Sequence, residues 1–477
     1  MKALFKSFVA VGFLALMVVA GHAPAQDQEY SHATYFEHYE GTATCLQCHR
    51  EEAESFFHSQ HYQWRGNAPQ IVNARGRKLG KLNTINDFCT SPTGNWIGFV
   101  RNSRGDVISK GCSACHAGMG ELPAEKMTDA QLSNIDCLIC HASGYRRDLF
   151  DDGKGAVVWK PILWKNQEGL DSVSRRISLP TRVMCLRCHS ASGGGPNYKR
   201  GDIEYKLADP DRDFDVHMAT AGKNMQCVTC HAGEKHRVRG RGADLSGSDL
   251  PDKPLSCATT ECHGAKPHKV EVLNHHARRV NCTVCHIPSF ARDEPTDMMR
   301  DWSQSVYKEE ADKYTAKITL QKDVRPVYAW FNGYTRAQLP GEPVKRLGDG
   351  SVGMMVPQGS RSDPKAHIYA FKLHRGRLPL LTGRNWIIPI TVEHFFASGQ
   401  IDPAVKLAAK EMYGIDDPQY TWTDTSRYMG IFHGVQPAGR ALQCLDCHSP
   451  QGRMDWKALG YAGDPLNAAL GRPRARR

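Results

Sequence analysis

Seven times along this 477-residue chain a C-x-x-C pair is followed at once by histidine. The stretches are CLQCH, CSACH, CLICH, CLRCH, CVTCH, CTVCH and CLDCH. A disulfide has no use for that histidine. A zinc site would need two such loops and would not always take the adjacent imidazole. Covalent haem uses all three residues. Two thiols add across the porphyrin vinyl groups, and the next side chain reaches the iron as proximal ligand. Residues 257–263 read CATTECH, the same signature with two residues inserted. Its closing Cys-His dipeptide still sets the iron ligand against the second thioether, and a longer loop can bulge outward and deliver the first thiol.

The sequence is therefore read as eight sites for heme c, held by Cys45 and Cys48, Cys112 and Cys115, Cys137 and Cys140, Cys185 and Cys188, Cys227 and Cys230, Cys257 and Cys262, Cys282 and Cys285, and Cys444 and Cys447. The proximal ligands are His49, His116, His141, His189, His231, His263, His286 and His448. A local Cys257–Cys262 disulfide is the competing reading of the sixth site. Of 17 cysteines, Cys89 alone is left over. It reads either as a small buried side chain or as a free thiol near the second site.

A second histidine saturates a haem iron and leaves it able only to pass electrons, whereas an open or weakly held sixth position admits a substrate. Of the 22 histidines, many stand free of the motifs. His217, His236, His276 and His433 lie within about a dozen residues of a motif, at offsets that suit ligation of neighbouring haems. His61, His268, His374 and His394 complete the expected distal set. A solvated or propionate-bonded imidazole is the alternative at each.

The elements that must position these groups follow from the spacing, which is too irregular for a solenoid. About 57 residues serve each haem, too few for a large ordinary core. The porphyrins themselves supply apolar surface, so the expectation is a mainly α chain with extensive loops and little β, wrapped around a haem array. Residues 26–290 form a multihaem domain with seven sites. Residues 291–477 form a largely helical region with the eighth, because a cysteine-free stretch of 157 residues separates His286 from Cys444. Within it, IDPAVKLAAKEMYG predicts a helix with Asp402 as N-cap, Pro403 in the first turn and Gly414 just past the end. TRAQLPGEPVKRLGDGSVGMMVPQGS reads as loop.

Lys2 and Lys6, an apolar run from Phe8 to Ala20 and the sequence Ala23-Pro24-Ala25 read as an export signal, residues 1–25, cleaved after Ala25 and directing the chain to the periplasm. An uncleaved anchor is the alternative. The formal charge of +11 does not point to nucleic acid. Removing the signal leaves about +9, and eight haems with their propionates add about −8. The Lys and Arg excess is there to pair propionates. The RPRARR tail is basic.

With these motifs the chain resembles the octahaem tetrathionate reductase family of periplasmic multihaem cytochromes. The resemblance covers most of the mature chain. It rests on the widened sixth motif, CHIPSFAR on the seventh, SGGGPNYKRGDIE after the fourth, FDVHM before the fifth and CHSPQGRMDWKALGYAGDP at the eighth. It implies seven bis-histidine relays and one catalytic haem, at His116, whose sixth ligand is a lysine amine. Lys199 in GGGPNYKRGD is the position carried over, with Lys154, Lys160 and Lys165 in reserve. The resemblance also implies a cysteine near that haem, which gives Cys89 its catalytic role. An acidic residue is expected beside the lysine. Pro196 and Asn197 stand there instead, with Asp202 the nearest carboxylate.

The implied function is reduction of tetrathionate, nitrite or hydroxylamine, a small inorganic substrate. Electrons would come from a periplasmic or membrane-bound donor such as a quinol dehydrogenase or small cytochrome. An electron conduit with every iron bis-histidine, and a hydroxylamine-oxidising octahaem enzyme, are the alternatives. No marker of an oligomer interface stands out, and association of copies is left open.

Overall fold

The structure, a computed structural model, describes residues 29–88, 96–154, 156–163, 169–240 and 248–470. Residues 1–25, read above as an export signal, lie outside the described residues, as do Cys89, Lys165 and the RPRARR tail. Among those described, no helix is long and apolar enough to cross a membrane.

Residues 291–477 depart from the expected helical region, and TRAQLPGEPVKRLGDGSVGMMVPQGS is not all loop. This part of the chain builds an eight-stranded sheet. Its strands are β1 (Thr296–Lys308), β2 (Lys313–Gln321), β3 (Val327–Phe331), β4 (Thr335–Ala337), β5 (Val352–Pro357), β6 (His367–Leu381), β7 (Trp386–Ile387) and β8 (Tyr420–Gly430). The order is β2-β1-β6-β8-β5-β4, with β3 and β7 also pairing to β6. Strand β6 is the spine. It runs antiparallel to β8 from Phe371↔Gly430 to Leu381↔Tyr420 and parallel to β1 at Arg375↔Met299.

The physical signal was a period of two. HIYAFKLHRGRLPLL buries alternate residues over much of its length, and TWTDTSRYM in β8 is rich in β-branched and aromatic side chains, which suit a half-buried pleat. Among the described residues helix and strand are nearly equal, 23% and 24%, so the expectation of little β does not describe them.

Two helices cover this sheet, α1 (Val392–Ser398) and α2 (Ile401–Tyr413). Gly414 ends α2 in the left-handed region at φ 66°, as its sequence implies, but the N-cap is Gln400, and Asp402 sits in the first turn. Ala404, Val405, Ala408 and Ala409 pack with Trp302, Leu378, Leu380, Ile388 and Phe395 into the largest apolar core. A second core, around Val284, Ile287, Phe290, Trp330, Ile368 and Ile431, joins the seventh motif to β3 and β6. The motif-bearing part contains only short helices, hairpins and small apolar clusters, as a chain wrapped on a cofactor array requires.

Candidate functional site

Four of the Cys-x-x-Cys-His segments close on themselves through the same backbone bond. The His N–H donates to the first cysteine's carbonyl at His49 (2.8 Å), His141 (3.1 Å), His231 (2.9 Å) and His448 (2.8 Å). CATTECH makes the same return bond, from His263 to Cys257 at 3.3 Å, despite its two extra residues. The insertion bulges, and the ends meet as in the shorter loops. None of the sixteen motif cysteines is in a disulfide, so Cys257 and Cys262 are not bridged to each other.

Seven of the eight motif histidines face a second imidazole. The ring centroids are 6.2 Å apart for His49 and His32, 6.3 Å for His141 and His236, and 6.2 Å for His189 and His61. They are 6.1 Å apart for His231 and His433, 5.9 Å for His263 and His217, 6.1 Å for His286 and His268, and 6.1 Å for His448 and His276. Edge-to-face ring contacts also reach this distance, so the informative feature is its repetition, 5.9–6.3 Å at seven separate motifs. A metal bound at about 2 Å on either side sets centroids about 6 Å apart. The spacing therefore fits a haem iron between each pair.

Several rings are held by their other nitrogen. Nδ1 meets a backbone carbonyl at His141 (Ser178, 2.9 Å), His231 (Arg239, 2.9 Å) and His276 (Val272, 2.8 Å). At His448 it meets the Asp464 carboxylate at 2.6 Å. This leaves Nε2 for a metal. Burial holds His61, His141, His189 and His231 below the usual imidazole range, His189 down to about 3, so each stays neutral and keeps a lone pair.

The distal partners come from unexpected distances. His236 follows the fifth motif but meets the third, and His433 precedes the eighth but meets the fifth. His32 was not in the expected set and meets the first. His374 and His394 meet no motif histidine. His374 lies between two carboxylates, Asp87 at 2.8 Å and Asp297 at 3.4 Å, all with fully buried side chains. His394, on α1, has a buried Nε2 without a hydrogen-bond partner.

The motifs also touch one another. Cys45 lies against Cys137, Cys115 against Cys188, Cys185 against Cys227, and Cys257 against Cys282. Cys140 is close enough to act electrostatically on Cys185 and Cys188, Cys262 on Cys230, and Cys285 on Cys447. The motifs thus neighbour one another in the order one, three, four, five, six, seven and eight, with direct thiol contact at one–three, four–five and six–seven. The second motif branches from the fourth.

That second motif is different. His116 is fully buried, and its ring neighbours are Trp96 (4.8 Å), Tyr62 (5.0 Å) and Trp64 (5.7 Å). No second imidazole pairs with it among the described residues. Its N–H donates to Ser113 rather than to Cys112. Its Nδ1 has no partner, and its Nε2 lies 2.6 Å from the Tyr62 carbonyl. For His116 to hold a haem iron, Nε2 would have to exchange that carbonyl for the metal.

Arg147 grips the loop, donating to the carbonyls of Ser113 (3.0 Å), His116 and Gly118 and pairing with Asp136 at 3.1 Å. Burial lowers His116 to about 4. Lys81, a residue the sequence did not single out, sits 5.1 Å over the Trp64 ring. Its charge reaches His61 and Cys115.

Lys199 is 8% exposed, on the turn that leaves motif four. Its N–H donates to Ser192 at 3.1 Å. Motif four's Cys188 touches Cys115 of motif two, so this turn starts beside the second site. Asp202, the nearest carboxylate in sequence, is engaged elsewhere in the structure. It accepts from His433 and from the Phe432 N–H, and pairs with Arg200. Lys154 and Lys160 belong to a hairpin, Tyr145–Asp151 with Val157–Leu163, and Lys160 is in its second strand.

Comparison with known proteins agrees with this geometry. A family model described as "Cytochrome c bacterial" matches residues 293–451. The crystal structure of an octaheme cytochrome c from Shewanella oneidensis is similar at a TM-score of 0.72 and 30% sequence identity, over 91% of this chain and 96% of that one. An uncharacterized protein of Archaeoglobus fulgidus is 31% identical over 279 residues, 50% of this chain and 91% of its own length. Paired imidazoles, the repeated Cys-x-x-Cys-His loops and this likeness converge: the chain belongs to the multihaem c-type cytochromes and binds haem c covalently.

Proposed function

We propose that this is an exported octahaem reductase with seven relay sites and one reactive site, at His116. The observation that carries it is the unequal environment of the motif histidines. Seven face another imidazole, and the eighth faces Tyr62, Trp64 and Trp96. Bound haem supplies one-electron transfer and, where the sixth position is not taken by histidine, an iron that accepts a further ligand.

Lys199 is the amine proposed for that position. To bind a metal it must be neutral, because an ammonium has no lone pair, and burial favours the neutral form. Release of the amine frees the position for a small oxidant, with tetrathionate, nitrite and hydroxylamine as the class proposed. Lys81 contributes positive charge beside the same rings and favours an anionic substrate. The order in which the motifs neighbour one another is the proposed electron route, and a quinol dehydrogenase or small cytochrome is the proposed donor.

The test is low-temperature EPR of the oxidised protein with and without nitrite or hydroxylamine, followed by turnover with reduced viologen. One of eight centres should respond, and Lys199→Leu should alter that same centre. Indifference of every centre to both ligands and to the substitution would leave an electron conduit as the function.

A further inference from the structure

The C-terminal sheet does more than add a core. It sends buried cations to the turn that carries Lys199. Lys372, on β6, has no exposed surface. Its Nζ donates to the carbonyls of Tyr198 (2.7 Å) and Lys199 (3.0 Å) and to Thr296 Oγ1 (2.6 Å). Burial brings the Lys372 pKa down to about 7, and the three acceptors, one for each proton of an ammonium, favour the charged form. Thr296 Oγ1 in turn donates to the Asn197 carbonyl at 2.7 Å.

Arg300, on β1, donates to the Gly193 carbonyl at 2.7 Å and to the Phe88 carbonyl, and its Nε meets Asp297 Oδ2 at 2.7 Å. Gly193 has φ 96°, and a Cβ there would meet Lys199 atoms at 3.0 Å. The turn is therefore clasped at both ends, at Gly193 by Arg300 and at Tyr198–Lys199 by Lys372. Asp297 holds Arg300 and leans on His374, and Asp87 holds His374 and Arg427. Phe88 stacks on His374 at 4.1 Å. The same web thus grips the backbone immediately before Cys89.

We propose that Lys372 and Arg300 are positioning residues that fix the Lys199 turn, and the segment ending at Phe88, relative to the second haem site. This rests on the reading of Lys199 given above. A loop free to shift by an ångström would not hold an amine at bonding distance from a metal. An ordinary structural role would require only that the sheet and turn pack. The observed arrangement spends two buried cations on main-chain carbonyls of one short turn.

The experiment compares the oxidised holoprotein carrying Lys372→Met, Arg300→Met, Thr296→Val or Lys199→Leu by low-temperature EPR. The seven bis-histidine signals serve as internal controls for folding. Lys199→Leu should abolish the lysine-ligated signal. Lys372→Met and Arg300→Met should each convert at least half of it to a high-spin signal, with the seven others unchanged. Thr296→Val removes only the hydroxyl shared by Lys372 and Asn197. It should shift the signal in the same direction by less, and it decides the matter if the Met variants do not accumulate. A wild-type spectrum in every sheet variant, with Lys199→Leu altered, overturns the positioning role and leaves the proposed function standing. A silent Lys199→Leu overturns both.

Discussion

His433 Nδ1 donates to Asp202 Oδ2 at 3.0 Å, from a ring that stands 6.1 Å from His231. Burial pushes the Asp202 carboxyl up, but Arg200 and His433 overcome it and bring it down to about 2. It is therefore an anion at the back of a metal-facing imidazole. Such a partner makes the imidazole a stronger donor to oxidised iron and lowers the potential of the site. Asp202→Asn removes the charge and keeps the shape. If it weakens the oxidised state's ligation about tenfold, the potential of the fifth site rises by about 60 mV. Spectroelectrochemical titration checks this, and an unchanged set of potentials would show that Asp202 only anchors the backbone at Phe432.

His32 tests the pairing scheme from its least expected member. It precedes the first motif, and its ring stands 6.2 Å from His49. His32→Ala should leave the number of attached haems unchanged, because the thiols make the covalent bonds, and should turn one low-spin centre high-spin. His394→Ala should leave every haem signal as it is, since His394 pairs with no motif histidine. The reverse pattern in magnetic circular dichroism would mean that the distal ligands are misassigned.

The chemistry of these sites was legible because covalent haem attachment is local. Two thiols and one imidazole within a few residues define it, even in CATTECH. Distal ligation is not local. His236 faces the third motif's histidine and His433 the fifth's because of how the chain folds back, and no sequence offset encodes that. His374 looked like any other spare imidazole until Asp87 and Asp297, remote from it in sequence, appeared on either side. The sheet was missed for another reason. Gly and Pro between Thr335 and Ser360 read as loop, yet the Val352–Pro357 run among them is a strand. The cysteine-free stretch was also judged by the helix-rich expectation for the rest of the chain.

Arg147 is expected to be a large contributor to stability. It and Asp136 form a buried ion pair at 3.1 Å, each side chain 2% exposed. Asp136 immediately precedes the third motif, so the pair ties that motif to the loop of His116. Arg147→Met leaves the carboxylate without its cation and should cost about 3–5 kcal/mol. Burial already raises the Asp136 pKa from 3.8 against the opposing pull of Arg147, and removing Arg147 raises it further. A raised carboxyl pKa favours folding below the unfolded value and loses that benefit as pH rises through the folded one. The penalty of Arg147→Met should therefore be larger at about pH 8 than at about pH 5. Thermal unfolding at the two pH values measures it. Arg147→Lys should recover only part, because one ammonium cannot reach the Ser113, His116 and Gly118 carbonyls as the guanidinium fork does.

The widened sixth motif gives a prediction about covalent chemistry alone. The His263 N–H returns to the Cys257 carbonyl, the Cys262 N–H bonds Thr259 at 3.1 Å, and the His263 ring faces His217. The two extra residues therefore bulge without moving the Cys-His end. Deleting Thr259 and Thr260 should leave a CAECH loop that still takes haem, with the protein's mass lower only by the two residues. Replacing Cys257 and Cys262 together by serine should lower the mass by one whole haem and leave His217 and His263 facing each other without a tethered porphyrin. Intact-mass spectrometry of the purified holoprotein reads both outcomes. An unchanged haem mass in the double serine variant would mean that residues 257–263 never carried one, and that the bulged loop is a turn that only imitates the motif.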